Sequence, residues 1–84
     1  MLAEGVWAEV KMGGEHLRLF SEHNAQGVQV SVYDVKAKSW VVPSELVDDI
    51  EQGKQKAADY AEAHLRRAAN ADLPPLQWKK SRSR

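Results

Sequence analysis

Cysteine is absent from this 84-residue chain. Its absence excludes disulfide staples, thiolate metal sites and a cysteine nucleophile, and it agrees with a reducing, cytoplasmic setting. No apolar run approaches the roughly 18 residues of a membrane span, and the N-terminus shows no charged-then-apolar signal pattern. Glycine-rich phosphate loops, a nucleophile elbow, an HExxH pair and an informatively spaced carboxylate dyad are all missing. An enzyme, a cofactor and a metal centre are therefore not expected. Proline and aromatic residues are few, three and six respectively, so the places where they fall are informative.

What is present describes one small domain. The hydrophobic fraction of 43% is ordinary for a chain that folds around a core. The formal net charge is zero but uneven: the last six residues hold Lys79, Lys80, Arg82 and Arg84, which leaves eight basic against twelve acidic side chains before them. An acidic body with a basic end is unlike the uniformly basic domain of a dedicated DNA binder.

Alternating segments come first. Residues 6–12 and 16–22 flank Gly13-Gly14, and two glycines supply the positive φ that both central positions of a type I′ hairpin require. A two-residue loop fixes the register. It sets Val10 against Leu17 and Ala8 against Leu19 on one face, and Trp7 against Phe20 and Glu9 against Arg18 on the other. Apolar meets apolar, and acid meets base. A second alternating pair, residues 28–33 and 39–42, flanks a polar turn around Lys36-Ala37. That loop sets Val32 against Val41 and Tyr33 against Trp40.

Pro43 is expected to end the sheet and Ser44 to cap a helix over residues 44–69. Leu46, Ile50, Gly53, Ala57, Tyr60, Ala61, Leu65 and Ala68 fall on one stripe. Acidic residues gather at its start, and Arg66, Arg67 and His64 near its end, as the helix dipole favours. The fold class is therefore α+β. A four-stranded antiparallel sheet of two hairpins is packed on one face by a single long C-terminal helix, in the order ββββα, with a basic tail behind it. Residues 1–72 form the domain, and residues 73–84 a proline-containing segment and a partly disordered tail. The same element order occurs in several small modules, single-strand-binding repeats among them, and no residue motif ties the chain to one of these.

The aliphatic face and the helix stripe make a core, with Gly53, Ala57 and Ala61 allowing close approach. A helix interior glycine costs about 1 kcal/mol relative to alanine, which close packing would offset. The opposite face carries Trp7, Phe20, Tyr33 and Trp40 beside Arg18, and one helix cannot cover both faces. Four aromatics in water make a patch on the order of several hundred Å², the mark of an interaction site. The C-terminal segment, a second copy of the chain, or unpaired bases are the candidate covers. A helix of residues 44–69 would run to nearly 40 Å and overhang a strand of about 20 Å, which favours either dimerisation or a folded-back tail.

The remaining candidates are weaker. His16 and His23 lack a third spaced ligand and read as strand-surface residues. Asp48 and Asp49 read as solvated charge. In LPPLQW the prolines stop the helix and send Leu76 and Trp78 back onto the body, in preference to forming a polyproline ligand. Trp78, Lys79, Lys80, Arg82 and Arg84 are the tail's candidate contacts for a partner or for phosphates, with the KKSRSR run expected to stay undocked. The expected function is a non-enzymatic interaction module, homodimeric or bound to a protein partner. The alternative is a single-stranded nucleic-acid binder using the aromatic face and the tail.

Overall fold

The computed structural model describes residues 4–82, with side chains described for residues 5–80. It contains the strands β1 Glu4–Met12, β2 Glu15–Asn24, β3 Gly27–Asp34 and β4 Ser39–Val47, the helix α1 Ile50–Ala69, and the strand β5 Lys79–Arg82. All pairings are antiparallel and the sheet order is β4-β3-β2-β1-β5. The α+β reading holds. The sheet has five strands, however, not four. Among the described residues no helix is long and apolar enough to cross a membrane.

The first hairpin forms in the register dictated by its two glycines. Trp7 opposes Phe20, Ala8 opposes Leu19, Glu9 opposes Arg18 and Val10 opposes Leu17. Gly13 and Gly14 take φ of 60° and 84°, the left-handed region that glycine enters without steric cost. In the second hairpin Tyr33 opposes Trp40 as the loop predicts, but Val32 faces Val42 rather than Val41, because the register shifts on both sides of Val32. Asp34 Oδ1 accepts the Ala37 N–H at 2.9 Å and closes that turn.

Pro43 does not end the sheet. β4 continues through it to Val47, where Val47 faces Val28. As an edge strand β4 can place an N–H-less residue on its solvent side, and the irregular register absorbs the mismatch. The helix therefore starts later than Ser44. Asp49 is its N-cap, accepting the Gln52 N–H at 2.8 Å, while Gln52 Oε1 accepts the Asp48 N–H at 2.6 Å. This reciprocal exchange satisfies two donors at the helix entry. At the other end Asn70 turns left-handed with φ 49°, and the Ala71 N–H reaches Leu65 O at 3.3 Å.

A helix of 20 residues is about 30 Å long, and a strand of ten residues, the length of β2, spans about 33 Å. The overhang expected from a longer helix does not exist. Leu65 is fully buried on the helix's own sheet, while Ala68 is exposed.

The core lies between α1 and one sheet face. Ala8, Val10, Leu17, Leu19, Val28, Val30 and Val32 meet Ala57, Ala61 and Leu65, all at most 7% exposed. Leu73, Leu76 and Trp78 pack against the margin of this same core. Gly53 sits over Ser21, whose buried hydroxyl donates to Ile50 O at 2.9 Å. Leu46 leaves the helix stripe in which the sequence places it. It belongs to β4, opposite Gln29, and is 59% exposed.

Glu45, also expected on the helix, is a β4 residue. Its carboxylate accepts from Lys56 Nζ and Tyr60 Oη, which fastens the edge strand to α1. The Lys56 hydrogen bond, then that of Tyr60, holds Glu45 below its ordinary 4.5. The bond to Glu45 in turn raises Lys56 above 10.5 and Tyr60 above 10.0. A depressed carboxylate contributes stability that is present above its unfolded pKa and lost as pH falls through the folded one. A raised lysine or tyrosine contributes stability that is present below its unfolded pKa and lost as pH rises through the folded one. Glu45→Gln is therefore expected to flatten the stability profile on both flanks, below about pH 4.5 and above about pH 10. Urea midpoints measured across pH check it, and superimposable profiles for the two proteins would contradict the assignment.

Candidate interaction face

The sheet face away from α1 gathers the four aromatics that the sequence places there. In an antiparallel ladder directly opposed residues share a face, so the pairs Trp7–Phe20, Arg18–Tyr33 and Tyr33–Trp40 put all five side chains on one side. Tyr33 and Trp40 meet edge to face, with centroids 4.8 Å apart and planes at 65°. Phe20 reaches Trp40 across β3 at 6.3 Å and 57°. The residue of β3 opposite Phe20 is Ser31, and its small side chain leaves room for that crossing. Such tilted contacts suit the ring quadrupoles and contribute about 0.5–1.5 kcal/mol per pair. Trp7, Phe20 and Tyr33 are half-buried by their neighbours, while Trp40 remains 51% exposed.

Charge surrounds this cluster. Glu9 Oε2 lies 2.6 Å from His16 Nε2 and 3.2 Å from Arg18 Nε. The His16 hydrogen bond first, and that of Arg18 second, hold the Glu9 carboxyl below its ordinary value. Arg18 is thus committed to Glu9 and does not stand alone as a cation.

The C-terminal segment divides: Leu76 and Trp78 pack back onto the core margin as expected, but the residues after them do not stay undocked. Residues 79–82 form β5 along β1, with Lys79 opposite Trp7 and Lys80 opposite Val6. The KKSRSR run is therefore docked, through backbone pairing, as far as residue 82. Lys79 Nζ sits 5.4 Å from the centroid of the Trp7 ring, a cation–π contact on the open face. Trp78 goes to the helix side, where Lys54 Nζ lies 5.8 Å from its ring centroid. Among the described residues the tail therefore touches this face only at Trp7 and leaves Phe20, Tyr33 and Trp40 uncovered. The Arg82 side chain and Arg84 lie outside the described residues.

Leu46 joins the open face as a contributor that sequence reasoning missed. The alternation Glu45-Leu46-Val47 was its signal, masked by the competing helical spacing to Ile50 and Gly53. No protein-family model, curated protein or solved structure matches the chain, so its own geometry carries the functional case.

Proposed function

We propose that this protein is a small non-enzymatic assembly module that pairs with a second copy of itself through the open aromatic face. The observation that carries this reading is Trp40, half exposed and in contact with both Phe20 and Tyr33, which among the described residues neither α1 nor the C-terminal segment covers.

Three features support a protein occupant. Phe20 and Tyr33 both lean on Trp40 at steep angles, which takes up ring surface that stacked bases would use. One face of the Trp7 ring is held by Lys79. Both sheet edges are also blunted: β4 carries Pro43 and an irregular register, and β5 carries two exposed lysines. Such edges resist strand-to-strand association, which leaves the face as the surface for self-pairing.

Single-stranded nucleic acid is the second reading. It is favoured by Lys79, whose ammonium stands over Trp7 on this side of the sheet. Trp40→Glu separates the two. For self-pairing, this variant is expected to elute as a monomer with unchanged circular dichroism, where the parent shifts toward dimer with concentration. For the nucleic-acid reading, the parent would instead show saturable, salt-sensitive fluorescence quenching by a mixed-sequence oligonucleotide. That quenching would be lost in Trp40→Glu and weakened in Lys79→Gln.

A further inference from the structure

Three titratable side chains from three elements converge away from the open face, at the end of the sheet that holds the β1–β2 and β3–β4 turns. Glu15 opens β2, Asp34 closes β3 and His64 lies near the end of α1. His64 Nε2 is 3.0 Å from Glu15 Oε1 and 3.5 Å from Asp34 Oδ2. The donor atoms of all three lie within 4.8 Å of one another. The side chains of Glu15, Asp34 and His64 are only 11%, 8% and 18% exposed. Two carboxylates so far out of water repel each other unless positive charge lies between them.

The far side of each carboxylate is already engaged. The Ala37 N–H donates to Asp34 Oδ1 at 2.9 Å, and Lys36 Nζ donates to Glu15 Oε2 at 3.2 Å. Each outer oxygen is thus held from behind, and each inner oxygen faces the imidazole. Outer partners of this kind orient carboxylate ligands in metal sites.

We propose that Glu15 Oε1, Asp34 Oδ2 and His64 Nε2 form a site for one divalent transition-metal cation of the zinc or manganese type, with water completing the coordination. Ligand atoms about 2.0–2.2 Å from such an ion lie roughly 3.0–3.6 Å from one another. The two His64 separations already fall in that range. One imidazole with two carboxylates suits borderline transition metals, while calcium and magnesium prefer oxygen-only shells. On binding, His64 coordinates through the Nε2 lone pair with its ring hydrogen on Nδ1, the ion takes the place of the contact to Glu15, and it supplies the charge that the two carboxylates require. Lys36 holds Glu15 Oε2 and not Oε1, so it can keep its place as outer partner while the ion takes Oε1. The bound ion would tie β2, β3 and α1 together at one point and so favour the folded state.

Isothermal titration of the full chain with zinc chloride and with manganese chloride tests the site, alongside thermal unfolding in each. One ion per chain is expected, with a rise in Tm of at least about 5 °C at saturating zinc. Magnesium and calcium at the same concentration should leave Tm unchanged. The double variant His16→Gln, His23→Gln should keep the site, and His64→Gln should lose it. If His64→Gln does not fold, broadening of the parent's NMR signals by manganese supplies the decision, because it should centre on residues 15, 34 and 64. Absence of saturable binding, binding that survives in folded His64→Gln, or broadening centred on His16 or His23 would each overturn the proposal.

Discussion

Leu19→Asp is expected to abolish cooperative folding. Leu19 is fully buried between the centre of β2 and the helix, in the cluster with Val10, Leu17 and Val30. The substitution removes a large apolar side chain, at about 2–5 kcal/mol for lost burial and cavity together. It also places a carboxylate where no cation stands opposite, adding several kcal/mol more unless the group is protonated. The whole stability of a domain this size is about 4–13 kcal/mol. Glu9→Gln is the control on the other face. Glu9 there makes half-exposed ion pairs with His16 and Arg18, and such pairs contribute about 0–1 kcal/mol. Urea denaturation followed by circular dichroism reads both. A cooperative transition in Leu19→Asp, or a loss in Glu9→Gln as large, would mean that the two faces are assigned the wrong way round.

Enlarging Gly53 is expected to be nearly as damaging. A Cβ built on Gly53 would lie 2.1 Å from Ser21 Oγ, 3.0 Å from Ser21 Cβ and 3.4 Å from Val47 Cγ2. Alanine there gains about 1 kcal/mol of helix propensity, but it must push the helix off β2 or displace the Ser21 hydroxyl from Ile50 O. Gly53→Leu leaves no space at all and is expected to lose the native helix docking. Gly53→Ala should be folded and destabilised by about 1–2 kcal/mol. Combining it with Ser21→Ala removes the closest clash, so the pair should be more stable than the sum of the single effects by about 0.5 kcal/mol or more. Thermal denaturation of the four proteins in that cycle measures the coupling. Strict additivity would mean that α1 does not approach β2 at this point.

The elements that were legible in the sequence are those whose residues allow one answer. Two adjacent glycines permit one tight hairpin, and every cross-strand pair in it then agrees. The aliphatic and aromatic faces follow directly from that register. The segment PSELVDD permits two answers. Ser44 and Asp49 are both good helix caps, and Leu46 fits a helical stripe as well as a strand alternation. The choice falls to Asp49 because β4, at the edge of the sheet, tolerates Pro43 and gains pairing from Leu46 to Gln29 and from Val47 to Val28. β5 is hidden for a different reason. Lys79 and Lys80 have no β-forming side-chain signal, and the strand is held by backbone bonds to β1, which no residue pattern records. The grouping of Glu15, Asp34 and His64 likewise depends on topology, since their spacings along the chain match no metal motif.

Self-pairing through the aromatic face is tested most directly by sedimentation equilibrium of the full chain over a hundredfold range of concentration, with Trp40→Glu run beside it. The weight-average mass of the parent is expected to rise from one chain of 9.4 kDa toward two, with Trp40→Glu remaining at one throughout. A parent that stays at one chain mass across the whole range, or a Trp40→Glu variant that associates as readily, would contradict it.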